Sequence, residues 1–136
     1  MVKITGDYQG ELHCTATHEP SGALLNTDAP RDNMGKGATF SPTDLVATAL
    51  ATCIVTTMAI VARKNGYELD PVRYEVTKEM TTTQPRSIAR LNVSLWLPAS
   101  ARKIPFALLE RAAHGCPVHN SLAPSVEKNI QFNWAE

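Results

Sequence analysis

From Phe40 to Gly66 the chain reads FSPTDLVATALATCIVTTMAIVARKNG, and no charged residue occurs between Asp44 and Arg63. The stretch has a start and a stop. Ser41 can cap a helix, Pro42 suits the first helical position, and Asp44 sits where a capping-box acid belongs. Asn65-Gly66 supplies a left-handed stop. The spacing therefore predicts a helix from about Ser41 to Lys64. Leu45, Leu50, Ile54, Met58 and Val61 are mixed with small residues all round it. A helix that is apolar on most faces has to be covered, so this one is expected to be the core around which the rest is built. Its run from Leu45 to Ala62 is rich in threonine, which argues against a membrane span.

The chain has 136 residues, enough for one domain, 1–136, with a small core. Thirteen basic and thirteen acidic residues give a formal net charge of zero, so no basic stripe points to nucleic acid. The start, MVKITGDYQGEL, lacks the apolar run of a signal peptide, and the expected location is the cytoplasm. Three cysteines, Cys14, Cys53 and Cys116, are an odd count that fits free thiols in a reducing compartment.

Around the helix the pattern has period two. Residues 7–17 read as a strand after a short N-terminal one, and 22–27 as its partner. The segment TDAPRDNMGKG, 27–37, is dense in turn formers and reads as a loop. Residues 70–82 and 86–97 alternate, with TTQPRS as a hairpin connection, and Leu91, Val93, Leu95 and Leu97 fall in phase. Residues 105–114 form a second helix, a short turn or third helix follows Pro117, and 129–135 make a last strand. The order βββ-α-ββ-α-α-β indicates an α+β fold.

Chemistry centres on two cysteines. Cys53 lies mid-way along the apolar helix, where it is either a packed small hydrophobe or a reactive thiol. Cys116 stands in HGCPVHNSL, 114–122. Pro117 suggests a new helical turn beginning there, and an N-cap thiol near backbone N–H groups has a lowered pKa. The plainer alternative is a break between two helices. His114, Cys116 and His119 raise a metal reading, but a zinc site needs a fourth ligand or a water, and no CxxC supports one. Cys14, beside His13, reads as structural or adventitious. Arg31 lies in a connecting loop, and an arginine used functionally there would hold a thiolate or an oxyanion. Asp44 is a capping acid that could also orient such an arginine.

Two motifs carry a family resemblance. FSPTDLVATALATC, 40–53, resembles the start of the central helix in the OsmC/Ohr thiol-dependent peroxidases, ending in their first cysteine. CPVHNSL, 116–122, is similar to their second-cysteine motif. The resemblance covers nearly the whole chain. It implies an intertwined homodimer, with antiparallel sheets from both chains wrapped around two long central helices. It implies that Cys53 is the peroxidatic cysteine and Cys116 the resolving one. The implied substrate is an organic hydroperoxide, and the implied reductant an external dithiol, often lipoyl-type. No cofactor, metal, nucleic acid or membrane is implied. The chain departs from the family at the helix start, where Thr43 occupies the usual glutamate position and the acid is Asp44, one residue later. HEPSG, 18–22, lacks the family's catalytic arginine, and Arg31 matches a different one. A dimer of the same fold that binds a small hydrophobic molecule without turnover is the alternative reading.

Overall fold

The computed structural model describes residues 1–135. They fall into two compact units, one of Met1–Val46 and one from Ala47 onward.

In the first unit β1 (Ile4–Tyr8), β2 (His13–His18) and β3 (Ala23–Asp28) form an antiparallel sheet in that order. The strand expected over 7–17 is in fact two, parted by a turn. Gly10, Glu11 and Leu12 all have positive φ, at 83°, 54° and 59°. Glycine takes that conformation freely, whereas Glu11 and Leu12 hold it against side-chain sterics, so only Gly10 marked the reversal in the sequence. The loop after β3 contains one 3-10 turn, Arg31–Asn33. Asp28 holds it. Its backbone N–H donates to Phe40 C=O (3.0 Å), and its Oδ2 accepts from Ala38 N–H (2.9 Å). Oδ1 of the same carboxylate accepts from His13 Nδ1 at 2.5 Å.

At the end of the loop the predicted capping box is present. Ser41 Oγ accepts from Asp44 N–H (3.0 Å), and Asp44 Oδ2 accepts from Ser41 N–H (2.9 Å). Two N–H groups that a helix start would leave unsatisfied are met reciprocally. The helix that follows, α1, spans Pro42–Lys64 and stops at Gly66, whose φ is 82°.

In the second unit β4 (Arg73–Met80), β5 (Ile88–Leu97) and β6 (Glu127–Trp134) form a sheet with β5 central. One 3-10 turn (Ala99–Lys103), α2 (Phe106–His114) and α3 (Pro117–Ser121) lie between β5 and β6 in sequence. β4 and β5 pair antiparallel, as expected of a hairpin, but β5 and β6 pair parallel. The sheet is therefore mixed rather than antiparallel throughout, because the helical crossover returns the chain in the direction it left. Along β5 burial alternates, and Leu91, Val93, Leu95 and Leu97 are all at most 1% exposed. With Leu50, Ile54 and Met58 of α1 and Leu109 and Ala113 of α2 they make the core.

The expectation that α1 is buried on most faces is met on one face only. Its buried residues are Ala47, Leu50, Ala51, Ile54, Met58 and Ala62. Ile60 remains 54% exposed. By length and composition α1 is also more membrane-like than its threonines suggest, with a mean hydropathy of 2.2 over 18 residues, a third of them buried within the chain. The side chains that it shares with the core make it a core helix.

Candidate active site: two neighbouring thiols

Cys53 projects from the middle of α1, one residue before the fully buried Ile54, and is half-buried. One helical turn on, Thr57 places its Oγ1 3.9 Å from Cys53 Sγ. Residues four apart on a helix share a face, which brings the hydroxyl to the sulfur.

Cys116 is the N-cap of α3, with extended backbone (φ −67°, ψ 147°) and Pro117 directly after it. His119 N–H donates to Cys116 Sγ at 3.3 Å. The proline explains this arrangement. It disfavours helical φ/ψ at Cys116, sets φ for the next turn, and has no N–H of its own to satisfy. α2 ends at His114, so HGCPVHNSL is a helix junction and the cysteine caps its far side.

The N-cap geometry follows the sequence, but its electrostatic consequence does not. Burial pushes the Cys116 thiol above its ordinary pKa. The donors at His119 and Val118 pull the other way without offsetting that cost, and Cys53 raises the pKa further, as a hydrogen-bond partner and through its charge. A side chain with no exposed surface loses the hydration that a thiolate needs. Cys116 is thus a protonated thiol at neutral pH rather than the thiolate its capping position predicted.

Both cysteines are reduced, and Cys53 is near enough to act on the Cys116 thiol. Besides this mutual approach, Cys53 Sγ lies beside Thr57 Oγ1 and Cys116 Sγ accepts from His119 N–H. Their accessibilities differ in a useful way. Solvent reaches Cys53 and does not reach Cys116.

A groove of about 330 Å³ reaches residues next to the two cysteines, neither of which is in its lining. It is lined by Thr57 and Val61 from α1, and by Leu108, Arg111, Ala112 and Gly115 from the end of α2. Thr57 touches Cys53, and Gly115 immediately precedes Cys116. Neither Thr57 nor Arg111 stood out in the sequence. A signal was available only as spacing, Thr57 four residues after one cysteine and Arg111 five before the other.

The remaining candidates lie elsewhere. Asp44 and Thr43 belong to the helix start, where Ser41 Oγ and Thr43 Oγ1 are 3.2 Å apart. Arg31 Nε donates to Lys36 C=O at 3.2 Å and so closes its own loop. Cys14 is exposed on β2. The His114 and His119 rings meet edge to face, with centroids 5.9 Å apart. Burial lowers the pKa of His119, and the charges of Lys128 and His114 add to the effect. Among the described residues no group of three His, Cys, Asp or Glu side chains is placed to hold a metal ion.

Comparison with known proteins bears on this arrangement. The profile of the OsmC-like protein family matches residues 35–131, which include both cysteines. A crystal structure from Psychrobacter arcticus, of a protein named for a proposed role in osmotic stress and detoxification, is 33% identical; it covers 98% of this chain and 96% of that one, with a TM-score of 0.87. The organic hydroperoxide resistance protein OhrB of Bacillus subtilis shares the fold at 17% identity and a TM-score of 0.72, over 98% of each chain. YmaD, an uncharacterised protein of the same organism, is 24% identical over 94% of this chain and 90% of its own. The chain belongs to the OsmC-like protein family.

Proposed function

We propose that the chain is a two-cysteine hydroperoxide reductase. Cys53 thiolate attacks the terminal oxygen of an organic hydroperoxide. The O–O bond breaks, the alcohol leaves after taking a proton, and Cys53 becomes a sulfenic acid. Cys116 sulfur then attacks Cys53 sulfur, water leaves, and a Cys53–Cys116 disulfide forms. An external dithiol, of the lipoyl type in keeping with the family, returns both thiols by exchange.

The observation that carries this reading is the difference between two neighbouring thiols. Cys53 is half-buried and within reach of a substrate, whereas Cys116 is fully buried and held protonated. An external oxidant meets Cys53 first. Cys116 is shielded from direct oxidation and is left to the sulfenic acid beside it. That division of labour supports a peroxidatic role for Cys53 and a resolving role for Cys116, independently of the family resemblance. The free state of all three cysteines fits a reducing compartment, the cytoplasm.

The active form in this reading is a homodimer, with the whole chain, 1–136, acting as one OsmC-like domain. The first unit leaves Ile4 63% and Leu24 77% exposed, and α1 leaves Ile60 exposed. A second copy would cover such surfaces. Asp44, Thr43 and Arg31 support the site by fixing the start of α1 and the loop before it rather than by touching substrate. The alternative, a dimer that binds a small hydrophobic molecule without turnover, draws on the groove beside the thiols. Turnover of cumene hydroperoxide with a dithiol, lost in Cys53→Ser, supports the enzyme. An unchanged rate in Cys53→Ser overturns it.

A further inference from the structure

We propose that Thr57 is a catalytic residue: its hydroxyl donates a hydrogen bond to the Cys53 thiolate and holds that sulfur ready for attack. The inference rests on Cys53 as the reactive thiol and adds a group that keeps it ionised, which no arginine in HEPSG supplies.

The threonines of α1 differ in their partners. Thr52 Oγ1 donates to Thr48 C=O (2.8 Å) and Thr56 Oγ1 to Thr52 C=O (2.9 Å), the usual bond back by one turn. Thr57 does not follow them. The carbonyl one turn before it belongs to Cys53. That oxygen already accepts from Thr56 Oγ1 at 3.2 Å, besides the helical N–H of Thr57 itself. Threonine uses two χ1 wells in a helix, so its hydroxyl is free to leave the carbonyl. Thr57 Oγ1 lies 3.9 Å from Cys53 Sγ, and among the described residues that sulfur is its one hydrogen-bond partner.

Ionisation fixes the direction of the bond. Between a thiol and a hydroxyl either group can donate, and 3.9 Å is a loose contact. A thiolate has no proton to give and a hydroxyl has one, so Thr57 is the donor once Cys53 is ionised. A charged acceptor draws its donor closer and strengthens the bond. Both residues are half-buried, so the bond competes with less water than on an open surface. Cys116 is protonated and near Cys53, so its S–H can donate to the same sulfur. That second donor is lost when Cys116 attacks the sulfenic acid, because its own sulfur is then the nucleophile. Thr57 keeps its proton throughout, and it is in place again when Cys53 leaves the disulfide as a thiolate.

The test is alkylation of the reduced, full-length protein by iodoacetamide, which reacts with thiolate, from pH 6 to pH 10. Mass spectrometry reads the Cys53 peptide, with the exposed Cys14 of the same samples as internal reference. Thr57→Val replaces the hydroxyl with a methyl of similar size, and Thr57→Ser keeps it. In Thr57→Val the midpoint of the Cys53 profile should move up by about one pH unit, the tenfold change in ionisation that a hydrogen bond to a charged group supplies. Its rate at high pH should be no lower than the parent's, and Thr57→Ser should keep the parent's profile. Thr57→Ala also lacks the hydroxyl and favours helix, so it carries the same test if Thr57→Val does not fold. An unmoved midpoint without the hydroxyl overturns the proposal. So does a fall in rate by the same factor at every pH, which marks a structural change, or a Thr57→Ser midpoint that moves as far as that of Thr57→Val. No peroxide enters the assay, so the two readings fail separately. A moved midpoint without peroxide turnover would refute the reductase alone, and peroxide turnover with an unmoved midpoint would refute the role of Thr57 alone.

Discussion

Ile54→Ala is the substitution that most directly tests whether the buried face of α1 fixes the position of Cys53. Ile54 is next to Cys53 in sequence and has no exposed surface. Truncation removes buried carbon atoms and leaves a cavity bounded by a core that includes Leu50, Met58 and β5. Such changes cost about 2–5 kcal/mol. For a chain of 136 residues the unfolding entropy is about 0.3 kcal/mol/K, so each kcal/mol moves Tm by about 3–4 °C. The expected loss is therefore roughly 7–17 °C, measured by circular dichroism at one fixed protein concentration because a dimer's Tm depends on it. Thr56→Ala is the control. Thr56 is exposed on the same helix, and its hydroxyl bonds back to Thr52 C=O (2.9 Å), so a change within about 0.5 kcal/mol is expected. Ile54→Ala should also slow disulfide formation between Cys53 and Cys116, because the thiols depend on the packing that it loosens. A Tm loss below about 3 °C would refute the assignment of this face to the core.

Three further outcomes follow from the same structure. Ser41→Ala removes the oxygen that accepts Asp44 N–H and should cost about 1 kcal/mol in denaturant unfolding, with an unchanged m-value. The His13 hydrogen bond is the main cause that lowers the Asp28 pKa, so the stability it contributes is present above the ordinary carboxylate range and is lost as pH falls through the folded value. Urea titrations from pH 6 downward should show a steeper acid loss for the parent than for Asp28→Asn, and equal slopes would contradict the pairing. The Cys116 pKa is raised, chiefly by burial, so its contribution is intact below the unfolded thiol pKa and is lost as pH climbs through the higher folded one. Between pH 8 and pH 10 the parent should lose more stability than Cys116→Ser, in stopped-flow or equilibrium unfolding alike.

The sequence made some of this legible because local chemistry decided it. Ser41, Pro42 and Asp44 began α1 and Gly66 ended it, since caps and left-handed stops act within a turn. The alternation from Leu91 to Leu97 identified the central strand because one face of it is wholly buried. Other features depended on distant parts of the chain. Leu12 takes positive φ in a turn whose partner strands hold it, and leucine carries no local preference for that conformation. β6 runs parallel to β5 because of where the helical crossover delivers it, which residues 127–134 do not encode. The capping position of Cys116 could be read from Pro117, but its pKa could not, since depth of burial is a property of the packed core. The groove that Thr57 and Arg111 line exists only because α2 is set beside α1.

The decisive measurement is stopped-flow oxidation of the reduced protein by cumene hydroperoxide, with mass spectrometry of the product and hydrogen peroxide as comparison. The reductase reading predicts a rapid two-step reaction, faster with the organic peroxide, that ends in a Cys53–Cys116 disulfide and leaves Cys14 free. A slow reaction without peroxide preference, or a product on the exposed Cys14, would contradict it.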